Sequence, residues 1–307
     1  MNERQLWLFL PQISSMALLL VCIICNVLLA VIFKYFDHWK VDNLNAIIVN
    51  YIVCVIGGSI ALGKFIIPSD LTAQAWFPYS IMLALLFIVG FNLMGYSFQK
   101  AGVALTAIVA KMSLILSAGF PILFYGEPYS ISKILGILAG IVAIILVNLP
   151  DKDEQQEMKI GTWLIIIPLL VWLMSGAIEI LLFYVQVENY VSNDSMIFVC
   201  SSFGIAGLMG LIYSIYRSVS AKIFIQTRDV IGGVILGVPN FFTIFLLLYL
   251  LEQGWQGSNL FPLNNISILL LTALVGWWFF KEKMSMPRIV GMVLSLIAIV
   301  LISANVF

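Results

Sequence analysis

The sequence predicts an all-α membrane protein with ten transmembrane helices, arranged as two inverted repeats of five. Three observations carry that expectation. The 307 residues are 62% hydrophobic and 10% charged, whereas soluble domains run ~45–50% apolar and ~25% charged. The apolar residues fall in ten long runs separated by short polar breaks. The two halves of the chain also match in register at residues that hydrophobicity does not explain.

In chain order the apolar segments are roughly 13–35, 44–63, 76–98, 103–125, 131–148, 161–187, 195–216, 229–251, 257–280 and 286–305. A helix needs ~20 apolar residues to cross a bilayer. Only a helix or a closed barrel satisfies its own backbone in lipid, and runs of this length do so as helices. The first run follows Arg4 and is too long for the core of a cleavable signal, so it reads as a span. The polar breaks are short, and the most polar, 151–159, divides the chain nearly in half. The expected organisation is therefore a first five-helix repeat over 1–150, a polar connection over 151–159, and a second five-helix repeat over 160–307.

At an offset of 155, Glu127 falls on Glu282, Gly136 on Gly291 and Lys133 on Arg288. Apolar matches are cheap in such a chain, but Glu, Gly and a base in register are not. Five helices per repeat is an odd number, so the halves must run in opposite senses through the membrane. Inverted repeats are a recurring plan of secondary transporters, with the substrate site near the midplane. The expectation is thus a small-molecule transporter in the inner cell membrane.

Net charge is zero, which gives no reason to expect a nucleic-acid partner. Cys22, Cys25, Cys54 and Cys200 lie in apolar runs and read as packing residues. The single histidine, His38, lies in a polar break and leaves no His-based metal site. No metal and no cofactor is expected. The expected partners are a small substrate, the lipid bilayer and protons, with the chain a monomer or a homodimer.

The runs Phe120-Pro121-x4-Gly126-Glu127-x8-Gly136 and Phe279-x2-Glu282-x8-Gly291 resemble the EamA-type repeats of the drug/metabolite transporter superfamily. That resemblance covers essentially the whole chain and implies ten helices and the movement of small metabolites. The second half departs from the pattern, with Gly276 where Pro121 stands.

Candidate substrate-binding residues are Lys111, Asn26, Asn92, Asn240, Asn264 and Asn265, with Glu179 as the coupling group. Lys111 lies about eight residues into the fourth segment, roughly 12 Å deep. An ionisable residue at such depth usually faces a bundle interior or a wet cavity, although a lysine can also snorkel. Glu179 is the acidic residue well inside an apolar run, where it serves either proton coupling or a hydrogen bond within the bundle. Counting residues places it roughly 15 Å from Lys111 in depth. The two charges are therefore expected at opposite ends of a central cavity, bridged by Asn240 and the asparagines of the ninth helix. Amides also glue helices together, but Pro239 and Pro262 beside these ones free backbone carbonyls that need partners. Glu127 and Glu282 sit at helix ends and read as caps or gate contacts. Gly136-x3-Gly140, Gly291-x3-Ser295 and Gly233-x3-Gly237 read as close helix contacts. Trp7, Trp39, Trp76, Trp163, Trp255, Trp277 and Trp278 read as an interfacial belt.

Two rival functions fare worse. An enzyme would need a nucleophile set, a phosphate loop or a second acidic residue beside Glu179, and none is visible. A receptor or scaffold without transport activity would be expected to carry large loops. For orientation, breaks after odd segments hold eleven basic residues, including Arg217 and Lys222, against Arg4, Lys64 and Lys133 on the other face. The charge bias puts the termini outside, whereas the family resemblance implies cytoplasmic termini.

Overall fold

The computed structural model describes residues 15–63, 65–101, 110–147, 163–191, 194–279, 281 and 285–304. Glu282, Trp7 and the connection 151–159 lie outside them. Among the described residues the regular structure is helical, with one α-helix in each of the ten expected segments. These are α1 (Ser15–Trp39), α2 (Asn43–Leu62), α3 (Phe77–Ala101), α4 (Leu114–Tyr125), α5 (Ile131–Val147), α6 (Trp163–Val187), α7 (Ser195–Ala221), α8 (Thr227–Glu252), α9 (Gly257–Trp278) and α10 (Met286–Ser303). Eight are long and apolar enough to cross a membrane, while α4 and α5, at 12 and 17 residues, are shorter. The protein is a multi-pass membrane protein.

Local chemistry sets the helix ends. Asp42 caps α2 by accepting the Asn45 amide, and Gly63, at φ 65°, closes the helix on the carbonyls of Ser59 and Ile60. Gly126, at φ 64°, ends α4 on the Pro121 carbonyl. Helix α8 opens on a capping box between Gln226 and Asp229.

The chain forms two compact units, and they are not the sequence halves. One comprises Met1–Val89 and Tyr184–Gln253, hence α1, α2, α7, α8 and the start of α3. The other comprises Gly90–Phe183 and Gly254–Phe307, with α4, α5, α9, α10, the end of α3 and most of α6. Each unit draws helices from both halves of the sequence.

Glycine stripes explain the pairings inside each unit. In the first, a methyl added to Gly233 would meet the Ala46 carbonyl at 2.5 Å, and one on Gly237 would meet the Asn50 carbonyl at 3.1 Å, so α8 lies directly on α2. In the second, Gly136 faces Leu301 and Ile302, while Gly291 faces Leu146 and Val147. The two N-terminal glycines thus each meet the other helix's C-terminal turn, so α5 and α10 are antiparallel. Leu114, Ala118, Ile144, Val147 and Leu269 form the apolar cluster that joins α4, α5 and α9.

Several sequence expectations change. Trp76 is 2% exposed and packs edge-on against Phe198 at 5.9 Å, so it belongs to the core and not the belt. His38 lies in the last turn of α1 and not in a loop. Lys133 and Arg217, both counted as loop charges, sit inside α5 and α7 with hydrogen-bonded partners.

Candidate functional site

The fourth segment does not continue as one regular helix into α4. Ser113 donates to Ala110 O at 3.3 Å, Ile115 to Met112 O at 3.0 Å and Leu116 to Ser113 O at 2.8 Å. These i→i+3 bonds tighten the chain before the α-helical ladder resumes. Lys111 stands at this irregularity. Its Nζ donates to Asn265 Oδ1 on α9 at 3.3 Å, and Asn265 Nδ2 donates to Glu179 Oε1 on α6 at 2.7 Å. Only this amide orientation suits both neighbours, because an ammonium needs an acceptor and a carboxylate needs a donor.

One asparagine therefore spans the two charges, and Nζ and Oε1 lie within about 8.5 Å of each other. The expected separation of roughly 15 Å in depth is overturned. Depth by residue counting assumes straight, continuous helices along the membrane normal, and the chain is irregular at Lys111. At that range the two charges attract by about 2 kcal/mol at an effective dielectric of ~20. Glu179 Oε2, in contrast, is buried with no hydrogen bond. Ser117 Oγ on α4 lies beside the carboxyl group and also lacks a hydrogen bond of good geometry. Sequence reading passed over Ser117, although its place four residues before Pro121 was a signal.

The other candidates divide between the units. Asn264 is buried one residue from Asn265, and Asn92 is exposed on α3; both are in the unit of Lys111 and Glu179. Asn240 and Asn26 are in the other unit. Asn26 donates to the Cys22 carbonyl of its own helix at 3.0 Å. Asn240 is buried, and its Nδ2 has no hydrogen-bond partner. The four cysteines are free thiols, three of them buried.

Two further polar networks close helix ends. In the unit holding Lys111, Glu127 accepts the Gly257 and Ser258 amides at 2.8 and 2.9 Å and also the Ser258 hydroxyl. A carboxylate here satisfies orphan N–H groups and faces the positive end of the α9 dipole. Lys133, 1% exposed, completes the knot through Pro128 O, Gln256 Oε1 and Ser258 Oγ at 2.7, 3.1 and 3.0 Å. All three ammonium donors are used. Glu127 is the cap that its position suggested.

In the other unit, Arg217 grips Asp42 with two bonds of 3.1 and 2.8 Å. Asp229, 1% exposed, accepts the Asp42 amide at 2.9 Å and the Gln226 amide at 2.9 Å. Burial pushes the Asp42 carboxyl up, but the Arg217 guanidinium and the Asn45 amide outweigh it and hold the group below the usual carboxylate range. These networks are satisfied and structural. The exposed difference is at Glu179, where polar atoms remain unmatched.

Comparison with known proteins agrees with this architecture. The chain is 28% identical over 287 residues to an uncharacterized protein of Haemophilus influenzae, covering 92% of this chain and 95% of that one. A crystal structure of a protein with 12% identity superposes with a TM-score of 0.74, covering 95% of this chain and 97% of the other, and so shares the fold. Residues 13–149 match the model of the EamA-like transporter family. That match spans Phe120, Pro121, Gly126, Glu127 and Gly136: over residues 13–149 the chain is similar to the EamA-like transporter family, part of the drug/metabolite transporter superfamily.

Proposed function

We propose that this protein is a secondary transporter of the inner cell membrane, moving a small zwitterionic or anionic metabolite, amino acids included, by alternating access. The observation that carries the reading is the Lys111–Asn265–Glu179 relay, a cation and an acid held by one amide between membrane helices. Charges at membrane depth are costly and mark substrate or ion paths. Lys111 receives the anionic end of the substrate, Asn265 and Asn264 line the site, Asn92 is a further polar contact, and Glu179 couples ion movement to transport; Asn240, in the other compact unit, is not assigned to this site. Asn26 is left out, because its amide serves its own helix.

The inverted repeat is part of the same proposal. A two-fold relation that carries Gly136 onto Gly291 also carries Leu301 and Ile302 onto Leu146 and Val147 at the offset of 155. The reciprocal contacts of α5 and α10 follow that rule, as an isologous pair does. Under this reading the short α4 and α5 complete the ten spans.

The test is flux into proteoliposomes loaded with a labelled amino-acid mixture, with and without a proton gradient. Wild type exchanges label, Lys111→Ala falls to the background of empty vesicles, and Glu179→Gln exchanges but no longer accumulates against a gradient. Wild-type behaviour of both variants would make the relay structural. Absence of flux from the folded wild type would favour the receptor or scaffold reading.

A further inference from the structure

Four helix ends of the first unit meet at one place. Arg217, near the end of α7, holds Asp42 before α2, and the Asp42 amide donates to Asp229 at the start of α8. A methyl on Gly232 of α8 would meet Phe36 and Val41 at 3.1 and 3.2 Å, which brings the end of α1 to the same place. Three basic side chains are exposed around this knot: Lys40 just before Asp42, Lys222 just after Arg217, and Arg228 next to Asp229. Arg217 is committed to Asp42, while Lys40, Lys222 and Arg228 have no ion pair among the described residues.

The backbone singles out the two lysines. Lys40 follows α1 at φ 53°, and Lys222 closes α7 at φ 56° with its N–H on the Arg217 carbonyl. This left-handed place at a helix end favours glycine or asparagine, because a Cβ is crowded there. Gly63 fills it at the end of α2 in the same unit. Lysine thus stands at both ends against the local backbone preference. Helix C-termini carry partial negative charge, so an ammonium at each turns an end that repels anions into one that attracts them. Apolar side chains lie among these charges. Phe224, between α7 and α8, is 63% exposed with Ile223 and Ile225 beside it, and Trp39 is 45% exposed next to Lys40.

We infer that this end of the unit binds an anionic phospholipid, with Lys40, Lys222 and Arg228 on its phosphate and with Trp39 and Phe224 against its glycerol and upper acyl region. A soluble anion would use the three charges and gain nothing from Phe224 and its neighbours, whereas the lipid satisfies both. Tryptophan sits at headgroup level in membrane proteins, and basic residues near the surface attract anionic lipids. The inference stands apart from the transporter reading, since no residue of the Lys111 site takes part.

The test uses the purified full chain in phosphatidylcholine liposomes that contain brominated phosphatidylglycerol, whose bromine quenches nearby tryptophan. Subtracting the signal of Trp39→Phe isolates Trp39. In wild type, brominated phosphatidylglycerol quenches Trp39 at a far lower mole fraction than brominated phosphatidylcholine. The double variant Lys40→Gly/Lys222→Gly removes two charges and eases two left-handed turns, so it folds at least as well, read by its midpoint in sodium dodecyl sulfate. Its preference for phosphatidylglycerol falls about 25-fold, at about fivefold per basic residue, and Lys40→Arg/Lys222→Arg keeps the preference. Equal quenching by both lipids in wild type, or a preference that survives in the glycine variant, overturns the inference. So does loss of the preference to millimolar glycerol phosphate at constant ionic strength, which would assign the site to a soluble anion.

Discussion

Replacing Gly291 by alanine isolates the contact between α5 and α10. A methyl built on Gly291 lies 2.8 Å from Val147 Cγ2, 2.9 Å from Leu146 Cβ and 2.9 Å from the Val147 backbone nitrogen. The last two cannot turn aside as a flexible side-chain tip would, so the helices must separate. Separation loosens Val147, Ile144, Ala298 and Ile302, all buried. Overpacking of this kind costs about 1–3 kcal/mol, against which the exchange of glycine for alanine in a helix returns about 1 kcal/mol. The net loss is about 0–2 kcal/mol. Gly136→Ala meets Ile302, Leu301 and the Ala298 carbonyl at 2.7, 3.1 and 3.2 Å, and a loss of similar size follows. Gly119 in α4 is the control. Nothing lies within 4 Å of a methyl there, so Gly119→Ala keeps the propensity gain and stabilises by about 0.5–1 kcal/mol. Denaturation by sodium dodecyl sulfate, followed by helical circular dichroism, gives the midpoints. The reasoning is refuted if Gly291→Ala gains stability as Gly119→Ala does, or if Gly119→Ala loses as much as Gly291→Ala.

Two further outcomes are expected. Glu127→Ala removes the acceptor of two backbone amides and a hydroxyl at the start of α9 and costs about 3 kcal/mol, each unmatched buried donor being worth about 1–3 kcal/mol; Glu127→Gln keeps one acceptor oxygen and loses about half, and hydrogen exchange at Gly257 and Ser258 rises in the same order. For Asp42, the folded carboxyl is held below its ordinary value near 3.8, so its stabilisation is full above that value and is lost as pH falls through the lower folded one. Between about pH 5 and pH 2 the unit holding Asp42 weakens, a trend that a thiol-reactive dye follows through the buried Cys22, Cys54 and Cys200 of that unit; Asp42→Asn is less stable near neutrality and has a flatter acid limb, and an unchanged limb would remove Asp42 from the account.

Much of the site was legible because of what lipid penalises. Lys111 and Glu179 stand out in any hydropathy reading, since no bilayer-spanning helix carries an ionisable group without cost. Asn265 stands out less, because an amide beside a proline has several uses. Its role as a bridge depended on an irregular turn at Ala110–Ser113 that has neither glycine nor proline to announce it. The partners of Lys133 and Arg217 were hidden for another reason. Both lie near segment ends, where a basic residue normally faces water, and their partners Ser258 and Asp42 are 125 and 175 residues away.

By itself the sequence determined the ten helical segments, the membrane setting, the likeness to a transporter family and the spacing of small residues on helix faces. Each follows from local demands: backbone groups in lipid must bond within their own helix, and close helix contacts need glycine. The tertiary structure alone decided which faces meet. It joined helices of both sequence halves into each compact unit, buried Trp76 and Lys133, and placed a lysine and a glutamate on opposite ends of one asparagine amide. Those outcomes depend on the fit between surfaces far apart in the chain, and hydropathy along a single segment does not encode that fit.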